Sequence, residues 1–329
     1  MNRIRTAVIG VGHLGRHHAR WYKTIKESEL IGVYDIDAAK CRNIADEWQV
    51  RAFENPSQLA GEVDAVSVVV PTVSHYEVAE HIIRKNIHCL IEKPIASTVE
   101  EANSLIELAD KHKVVLTVGH IERFNPAIVA LKEYKIEPRF IEAHRLAAFD
   151  PRGTDVAVVL DLMIHDIELA LHLVKSKVKR IESSAVAVVS DRADIANARL
   201  SFENGAVANL TASRISLHAM RKLRIFQKSG YFSLDLAEKR ADIYRLADSD
   251  AASGPGMRIP LGKSGQDIIY RKAGSTDEDM LRLELTSFLH AIQSKTAPEV
   301  SAAAATEALR LAIEIDRIGV NGVLAGNVS

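Results

Sequence analysis

The run Arg5-Thr6-Ala7-Val8-Ile9-Gly10-Val11-Gly12-His13-Leu14-Gly15 decides the fold of this chain. Arg5 to Ile9 reads as a buried strand, and Gly10 to Gly15 matches G-x-G-x-x-G at the point where a helix opens. Gly10 permits the tight turn, Gly12 lets backbone approach a pyrophosphate, and Gly15 allows the helix to pack closely on the strand. The helix N-terminus offers free N–H groups and partial positive charge to phosphates, so His13 and Leu14 join the three glycines as expected cofactor contacts. Asp35 ends the second strand, 20 residues after Gly15. An acid there accepts ribose hydroxyls and repels a 2′-phosphate, which makes NAD the expected cofactor and disfavours NADP. The competing reading is a glycine turn with no ligand; the coincidence of motif, strand, helix and acid argues against it.

Working outward, short apolar strands alternate with amphipathic helices. Strands are expected at Leu30 to Tyr34, Ala65 to Val70, His88 to Ile91 and Val114 to Val118, with the continuous hydrophobicity of a sheet covered on both faces. Asp37 reads as a helix cap, and Ser74-His75-Tyr76-Glu77 and Ser97-Thr98-Val99-Glu100 each fit an S-x-x-E capping box. This rhythm predicts an α/β class with a doubly wound parallel sheet over residues 1–120.

The rhythm changes over residues 121–329, which form the expected second domain. A helical stretch runs to Tyr134, a strand covers Phe140 to Leu146, and a helix covers Val158 to Val174. Six extended runs follow without intervening helices: Val178 to Val189, Ala196 to Phe202, Ala206 to Ser213, Leu223 to Lys228, Tyr231 to Leu236 and Arg240 to Leu246. Turns such as Glu203-Asn204-Gly205 between them predict a mostly antiparallel open sheet. Gly254 to Thr276 reads as a long loop, and helices at Asp277 to Ser294 and Ala302 to Ile318 close the chain.

Composition narrows the classes of function. Hydrophobic residues make up 47% and charged residues 26%, as in an ordinary globular protein. A net charge of -1 supplies no basic field for non-specific nucleic-acid binding. Cys41 and Cys89 form no CxxC pair, which fits a reducing compartment and argues against a zinc site. The N-terminus enters a strand directly, with no cleavable signal, and no apolar run reaches the roughly 18–20 residues of a membrane span. A cytoplasmic protein that binds neither membrane nor nucleic acid is expected. His120, His144 and His172 have no spacing that demands a metal, so no metal is expected. His17 and His18 read as residues of the first helix.

Two further stretches carry the chemistry. Glu92-Lys93-Pro94 closes a strand at the edge where dinucleotides bind, and Pro94 restricts Lys93 to an extended backbone. Asp161 and His165, at i and i+4 of the expected helix, project from one face, where a carboxylate can orient an imidazole and raise its basicity. Each element alone has a plain reading: a solvated lysine, or a surface pair worth a few tenths of a kcal/mol. Thr72 and His75, after the strand ending at Val70, could touch the cofactor; a strand terminator at Pro71 and a cap at Ser74 explain the stretch equally well.

Together, Gly10 to Gly15, Pro71-Thr72-Val73-Ser74-His75, Glu92-Lys93-Pro94 and Asp161 to His165 resemble the glucose–fructose oxidoreductase, inositol dehydrogenase and MocA-like (Gfo/Idh/MocA) family of NAD(P)-dependent oxidoreductases. The resemblance covers nearly the whole chain. It implies a Rossmann domain followed by a substrate-binding α/β domain whose open sheet serves oligomerisation, as a homodimer or homotetramer. It also implies that Lys93, Asp161 and His165 surround the nicotinamide, with Glu92 and Lys93 among the cofactor contacts, and often that the Lys93–Pro94 peptide is cis.

Within that family, Gly119-His120-Ile121-Glu122-Arg123-Phe124-Asn125-Pro126 and Pro151-Arg152-Gly153-Thr154-Asp155 look like a narrower group, similar to bacterial UDP-N-acetylglucosamine 3-dehydrogenases. This implies oxidation of a secondary sugar hydroxyl, at C3, to a 3-keto sugar nucleotide. The alternatives are the same chemistry on an inositol or free sugar, and a non-catalytic NAD-sensing regulator. His165, oriented by Asp161, would remove the hydroxyl proton and Lys93 would stabilise the alkoxide, or the two roles would be exchanged. A nucleotide sugar carries a diphosphate that suits arginine, so Arg123, Arg152 and Arg145 are candidate contacts, with Asn125 and His165 toward the sugar. A solvated or structural arginine is an equally good reading for any one of them. Arg221, Lys222 and Arg224 read as a strand face or subunit contact.

Overall fold

Ile4–Ile9 forms β1 because its apolar side chains have a covered sheet face on either side: Ala7, Val8 and Ile9 are fully buried. The structure is a computed structural model that describes residues 3–150, 156–247, 256–262, 266–274 and 278–326. The chain divides into two compact units, Met1–Ile121 with Glu278–Leu309, and Glu122–Asp277 with Arg310–Ser329.

In the first unit, β1 is followed by α1 (His13–Thr24), β2 (Ser28–Tyr34), α2 (Ala38–Trp48), β3 (Arg51–Ala52), β4 (Ala65–Val68), α3 (His75–Ile83), β5 (His88–Glu92), α4 (Val99–His112) and β6 (Leu116–Gly119). The six strands are parallel and lie in the order β3-β2-β1-β4-β5-β6. The order reverses between β1 and β4, which opens a crevice at the carboxyl ends of the strands.

Local chemistry explains several helix starts. Asp37 accepts hydrogen bonds from the Ala39 and Lys40 N–H groups and caps α2. Two expected caps are corrected. The capping box of α4 is Thr98 with Glu101, one residue beyond the expected Ser97 and Glu100. Ser74 makes no side-chain cap, because a 3₁₀ turn over Thr72–Ser74 leads into α3 and holds Ser74 already in a helical conformation.

A single cut at 120 is also corrected, since α7 (Met280–Ser294) belongs to the first unit. Its Leu281, Leu285, Phe288 and Leu289 join Ala19 and Tyr22 of α1 and Leu30 and Val33 of β2 in one apolar core. The unit boundary then falls within α8 (Ala302–Gly326), between Leu309 and Arg310.

The second unit holds α5 (Pro126–Val129), β7 (Phe140–Leu146), α6 (Ile164–Val174), β8 (Val178–Val186), β9 (Ile195–Phe202), β10 (Val207–Ser213), β11 (Met220–Gln227), β12 (Gly230–Asp235), β13 (Arg240–Leu246), β14 (Met257–Pro260) and β15 (Asp267–Gly274). The strands form one sheet in the order β14-β15-β13-β12-β11-β7-β10-β9-β8, antiparallel throughout except for the β7–β10 pair. The expected loop at Gly254 to Thr276 thus contains two strands among its described residues, β15 and the edge strand β14. Ile268 and Ile269 sit among polar residues without clean alternation, and only pairing of β15 with β13 makes them a strand.

Alternation along these strands buries Ile141, Ala143, Ile225, Phe232 and Ile243 on one face. The opposite face carries a ladder of directly paired rings: Phe140, Phe226, Tyr231, Tyr244 and Tyr270. Their centroids are 5.5, 4.8, 5.6 and 5.0 Å apart in sequence along the ladder, the spacing at which aromatic neighbours attract. Arg224 and Lys222 lie on the same strand, paired with Glu142 at 3.0 Å and Asp235 at 3.9 Å. Among the described residues no helix is long and apolar enough to cross a membrane.

Candidate functional site

The turn after β1 has the form that a pyrophosphate requires. Gly10 takes φ +86°, and a Cβ there would overlap the Val69 carbonyl oxygen. A Cβ on Gly15 would overlap the Gly10 carbonyl oxygen, whereas one on Gly12 would meet only open space. Gly12 caps α1 with no side chain, and no acid lies in the first turn, so the N–H groups there remain unscreened. His13 and Leu14 are exposed in that turn.

These contacts predict a split result. Gly15→Ala should destabilise the first unit by about 1–3 kcal/mol through overpacking. Gly12→Ala should leave thermal unfolding nearly unchanged, yet weaken NAD binding at least about tenfold, because its methyl occupies the space of the ligand. Calorimetric unfolding and NAD titration of both variants check this.

Asp35 faces the same crevice. Its Oδ2 accepts from the Val11 N–H at 2.8 Å and its Oδ1 from the Asp37 N–H at 2.9 Å, which ties the acid to the glycine turn. A cavity of about 810 Å³ runs past Gly10, Gly12, Asp35, Ile36, Pro71 and Ser74. Ile36 is 94% exposed at its wall, an apolar surface suited to a flat base; sequence reading passed over it because a lone exposed apolar residue carries no pattern. Thr72 is half-buried beside these lining residues. The glycine cradle, the open space over Gly12 and the strand-end acid fit a dinucleotide.

His75, Glu92 and Lys93 occupy the neighbouring strand ends. His75 is 1% exposed, with Nδ1 2.7 Å from the Pro94 carbonyl and Nε2 2.9 Å from the Val70 carbonyl. It therefore buckles two strand ends together, a correction to its expected cofactor contact. Burial holds its imidazole below the usual pKa, against the two carbonyls that favour the protonated ring. The Glu92 carboxylate is likewise turned inward: Oε1 takes a hydrogen bond from His18 Nε2 at 3.0 Å and Oε2 takes one from the Lys93 N–H at 3.3 Å. This adds His18, fully buried on α1, to the groups around Lys93. Lys93 itself is half-buried just beyond β5, and the Lys93–Pro94 peptide is cis.

The second unit holds the Asp–His pair. Asp161 lies in a π-helical turn, Val159–Met163, and His165 in the first turn of α6; a continuous α-helix was expected. A π turn is wide and is frequent at functional sites. Asp161, Leu162 and His165 are half-buried, while Ile164, Asp166 and Ile167 are buried, so the pair lies on the accessible side.

Behind that pair is an ionic core. Arg145, 4% exposed, donates to both oxygens of Asp166 at 2.9 Å and to Glu122 at 2.8 Å. Burial pushes the Asp166 carboxyl above its usual range although Arg145 opposes the shift. Arg123 pairs with Glu168 at 2.7 Å, both buried. The Asn125 amide donates to Glu122 and to the Leu236 carbonyl, and its Oδ1 accepts from the Ala127 N–H. Arg123, Arg145 and Asn125 are thus interior groups of this unit, which corrects their expected part in substrate binding. Arg152 lies outside the described residues. Among the described residues no group of three or more His, Cys, Asp or Glu side chains is placed to hold a metal ion.

A parallel sheet with this strand order, a glycine cradle and a strand-end acid, followed by a second unit built on an open sheet, defines a dinucleotide-dependent oxidoreductase of the two-unit type. Residues 4–120 match the profile of the Gfo/Idh/MocA oxidoreductase family with an NAD-binding Rossmann fold, and residues 138–233 match the C-terminal domain of that family. The chain is 40% identical over 325 residues to the UDP-N-acetylglucosamine 3-dehydrogenase of Acidithiobacillus ferrooxidans, covering 98% of this chain and 99% of that protein. A solved structure of that enzyme superposes with a TM-score of 0.86 at 38% identity, over 97% of this chain and 98% of the other. The myo-inositol 2-dehydrogenase of Thermotoga maritima is 25% identical over 251 residues, 70% of this chain and 75% of that protein. The scyllo-inositol dehydrogenase of Lactobacillus casei, solved with NAD(H) and scyllo-inositol, shares the fold at a TM-score of 0.76 and 17% identity, over 98% of each chain. The chain belongs to the Gfo/Idh/MocA family of NAD-binding oxidoreductases.

Proposed function

We propose that this oxidoreductase uses NAD to oxidise the C3 hydroxyl of UDP-N-acetylglucosamine, giving a 3-keto sugar nucleotide. The observation that carries the reading is full-length likeness to an enzyme named for that reaction, with Lys93, Asp161 and His165 all present. The bound dinucleotide supplies the hydride acceptor. His165, oriented by Asp161, takes the hydroxyl proton; Lys93, as an ammonium, stabilises the oxygen as it gains negative charge. The two residues could exchange these roles without changing the outcome. Gly10, Gly12, His13, Leu14, Gly15, Asp35 and Thr72 form the cofactor set.

The test is NADH absorbance on mixing protein, NAD and UDP-N-acetylglucosamine, with NADH expected to accumulate. A rise with inositols or simple sugars only would select a polyol dehydrogenase. Tight NAD binding with no turnover of any polyol would select a non-catalytic NAD sensor.

The choice of NAD over NADP rests on Asp35. Lys40 and Arg84 line the same cavity, but each faces an acid, Asp37 at 3.8 Å and Glu80 at 2.8 Å. Asp35→Asn should therefore narrow the preference for NAD over NADP by about tenfold to a hundredfold, the worth of one charged hydrogen bond. Comparing kcat/KM for the two dinucleotides checks it.

The aromatic ladder favours a homo-oligomer, dimer or tetramer, formed through the open sheet face, since rows of rings of this kind are ordinarily covered. Tyr231→Lys should shift the mass seen by light scattering toward the monomer. An unchanged mass would place the interface elsewhere.

A further inference from the structure

A second carboxylic acid lies in the interior of the first unit, near Glu92. Glu284 of α7 is 3% exposed, and neither of its carboxyl oxygens has a hydrogen-bond partner among the described residues. An ionised carboxylate left in that state would be heavily penalised, whereas a neutral acid is tolerated. Burial and the negative charge of Glu92 both push its proton affinity far up.

Glu92 has the opposite bias. Burial alone would raise it, but hydrogen bonding from His18, the charge there, and the N–H and charge of Lys93 hold it below the usual carboxylate range. The two acids are thus biased in opposite directions, Glu284 toward its neutral form and Glu92 toward its anion. The remaining groups around the pair are Cys89 of β5, Lys93 just beyond it, and His18 and Tyr22 from α1; Tyr22 hydrogen-bonds to Ser67 at 2.8 Å. The space is closed on the β6 side, where a Cβ on Gly119 would lie 2.9 Å from both Glu92 oxygens.

A buried acid that packs as a neutral group costs stability, and glutamine or leucine would fill the same space without that cost. Its burial within electrostatic reach of the Glu92 anion points to a role. We propose that Glu284 is a positioning residue of the reaction, holding the one proton of the Glu92–Glu284 pair so that Glu92 remains the single anion beside Lys93, and exchanging that proton with solvent as the charge at the Lys93 end changes. This rests on the reading above, in which Lys93 acts beside the nicotinamide. Oxidised and reduced nicotinamide differ there by one positive charge, which disfavours the proton on Glu284 when present and favours it when absent.

The sign of the stability effect follows. A carboxyl whose folded pKa is raised lowers stability as pH rises from its unfolded pKa, about 4.3, toward its folded one. Glu284→Gln cannot ionise and escapes this loss. Its thermal midpoint should match the wild type near pH 4 and exceed it by roughly 5 °C or more at pH 8.

The deciding experiment is a proton count by titration calorimetry of wild type and Glu284→Gln with NAD and with NADH, in buffers of different ionisation enthalpy. It is run near the pH at which the two stability curves stop diverging, where the folded acid itself titrates. Wild type should bind a few tenths of a proton more with NADH than with NAD; Glu284→Gln should lose most of that difference while still binding both dinucleotides. Glu284→Leu should lose it too. Equal proton counts in wild type and Glu284→Gln would overturn the proposal, as would matching pH–stability curves. Neither readout needs a sugar substrate, so a failed substrate assignment leaves this test intact, and Lys93→Ala reports separately on the catalytic reading.

Discussion

Lys93→Ala should lower kcat by about 10²–10⁴-fold, the range for loss of a positioned acid or charge in the transition state. NAD affinity should stay close to that of the parent, because the proposed cofactor set is dominated by the glycine turn and Asp35. His165→Ala should show a similar loss for the same reason. If the two residues serve one proton step, the double variant will lose little more than the worse single variant, as groups acting as a unit are non-additive. Steady-state rates with the saturating sugar, paired with equilibrium NAD titration, measure all three. Near-normal turnover in both single variants would sink the assignment. A rate loss that tracks weakened NAD binding would make Lys93 a cofactor contact instead.

Arg145→Met carries the second large effect, on stability rather than turnover. The substitution leaves the Glu122 and Asp166 carboxylates in the interior without their shared cation. Breaking a buried ion pair from one side costs about 3–5 kcal/mol, which in a unit of this size lowers the unfolding midpoint by about 6–20 °C. The loss should shrink in acid, where protonation removes the stranded charges. Adding Glu122→Gln and Asp166→Asn to Arg145→Met should recover much of it, since apolar or neutral replacement of a whole buried network is often close to neutral. Scanning calorimetry across pH distinguishes this from simple overpacking, which would be insensitive to acid.

The two predictions differ in how far sequence anticipates them. Lys93 stands at a strand end next to a proline, and strand ends in a parallel sheet share one edge, so its candidacy can be read locally. Arg145 offers no such signal. As a residue of a strand it could face solvent, substrate or core, and only the alternation of β7 against α6 turns it inward to Asp166. Arg123 and Asn125 were misplaced for the same reason: polar residues near a motif look available until their burial is known.

Local rules succeeded where the energy is local. The glycine turn, the Asp37 cap and the limits of β7 and β13 depend on neighbours within a few residues, and they match the structure. They fell short where two local options lie close in energy. Thr98 displaced Ser97 as the cap of α4, and a π turn replaced one α turn around Asp161. Strand β15 exists through pairing with β13, and β14 through pairing with β15, which no window of sequence contains.

By itself, then, the sequence determined the parallel dinucleotide fold, the glycine cradle with its acid, and the identity of Lys93, Asp161 and His165 as the residues to test. Those follow from backbone freedom, strand periodicity and helix termini, all short-range properties. Tertiary structure alone decided that α7 returns to the first unit, that His18 grips Glu92, that Glu284 lies buried near it, and that Arg145 is a core cation. The physical reason is desolvation. Whether a charged side chain is a ligand, a pair or a retained proton depends on which distant atoms exclude water from it, and that is set only once the chain has folded.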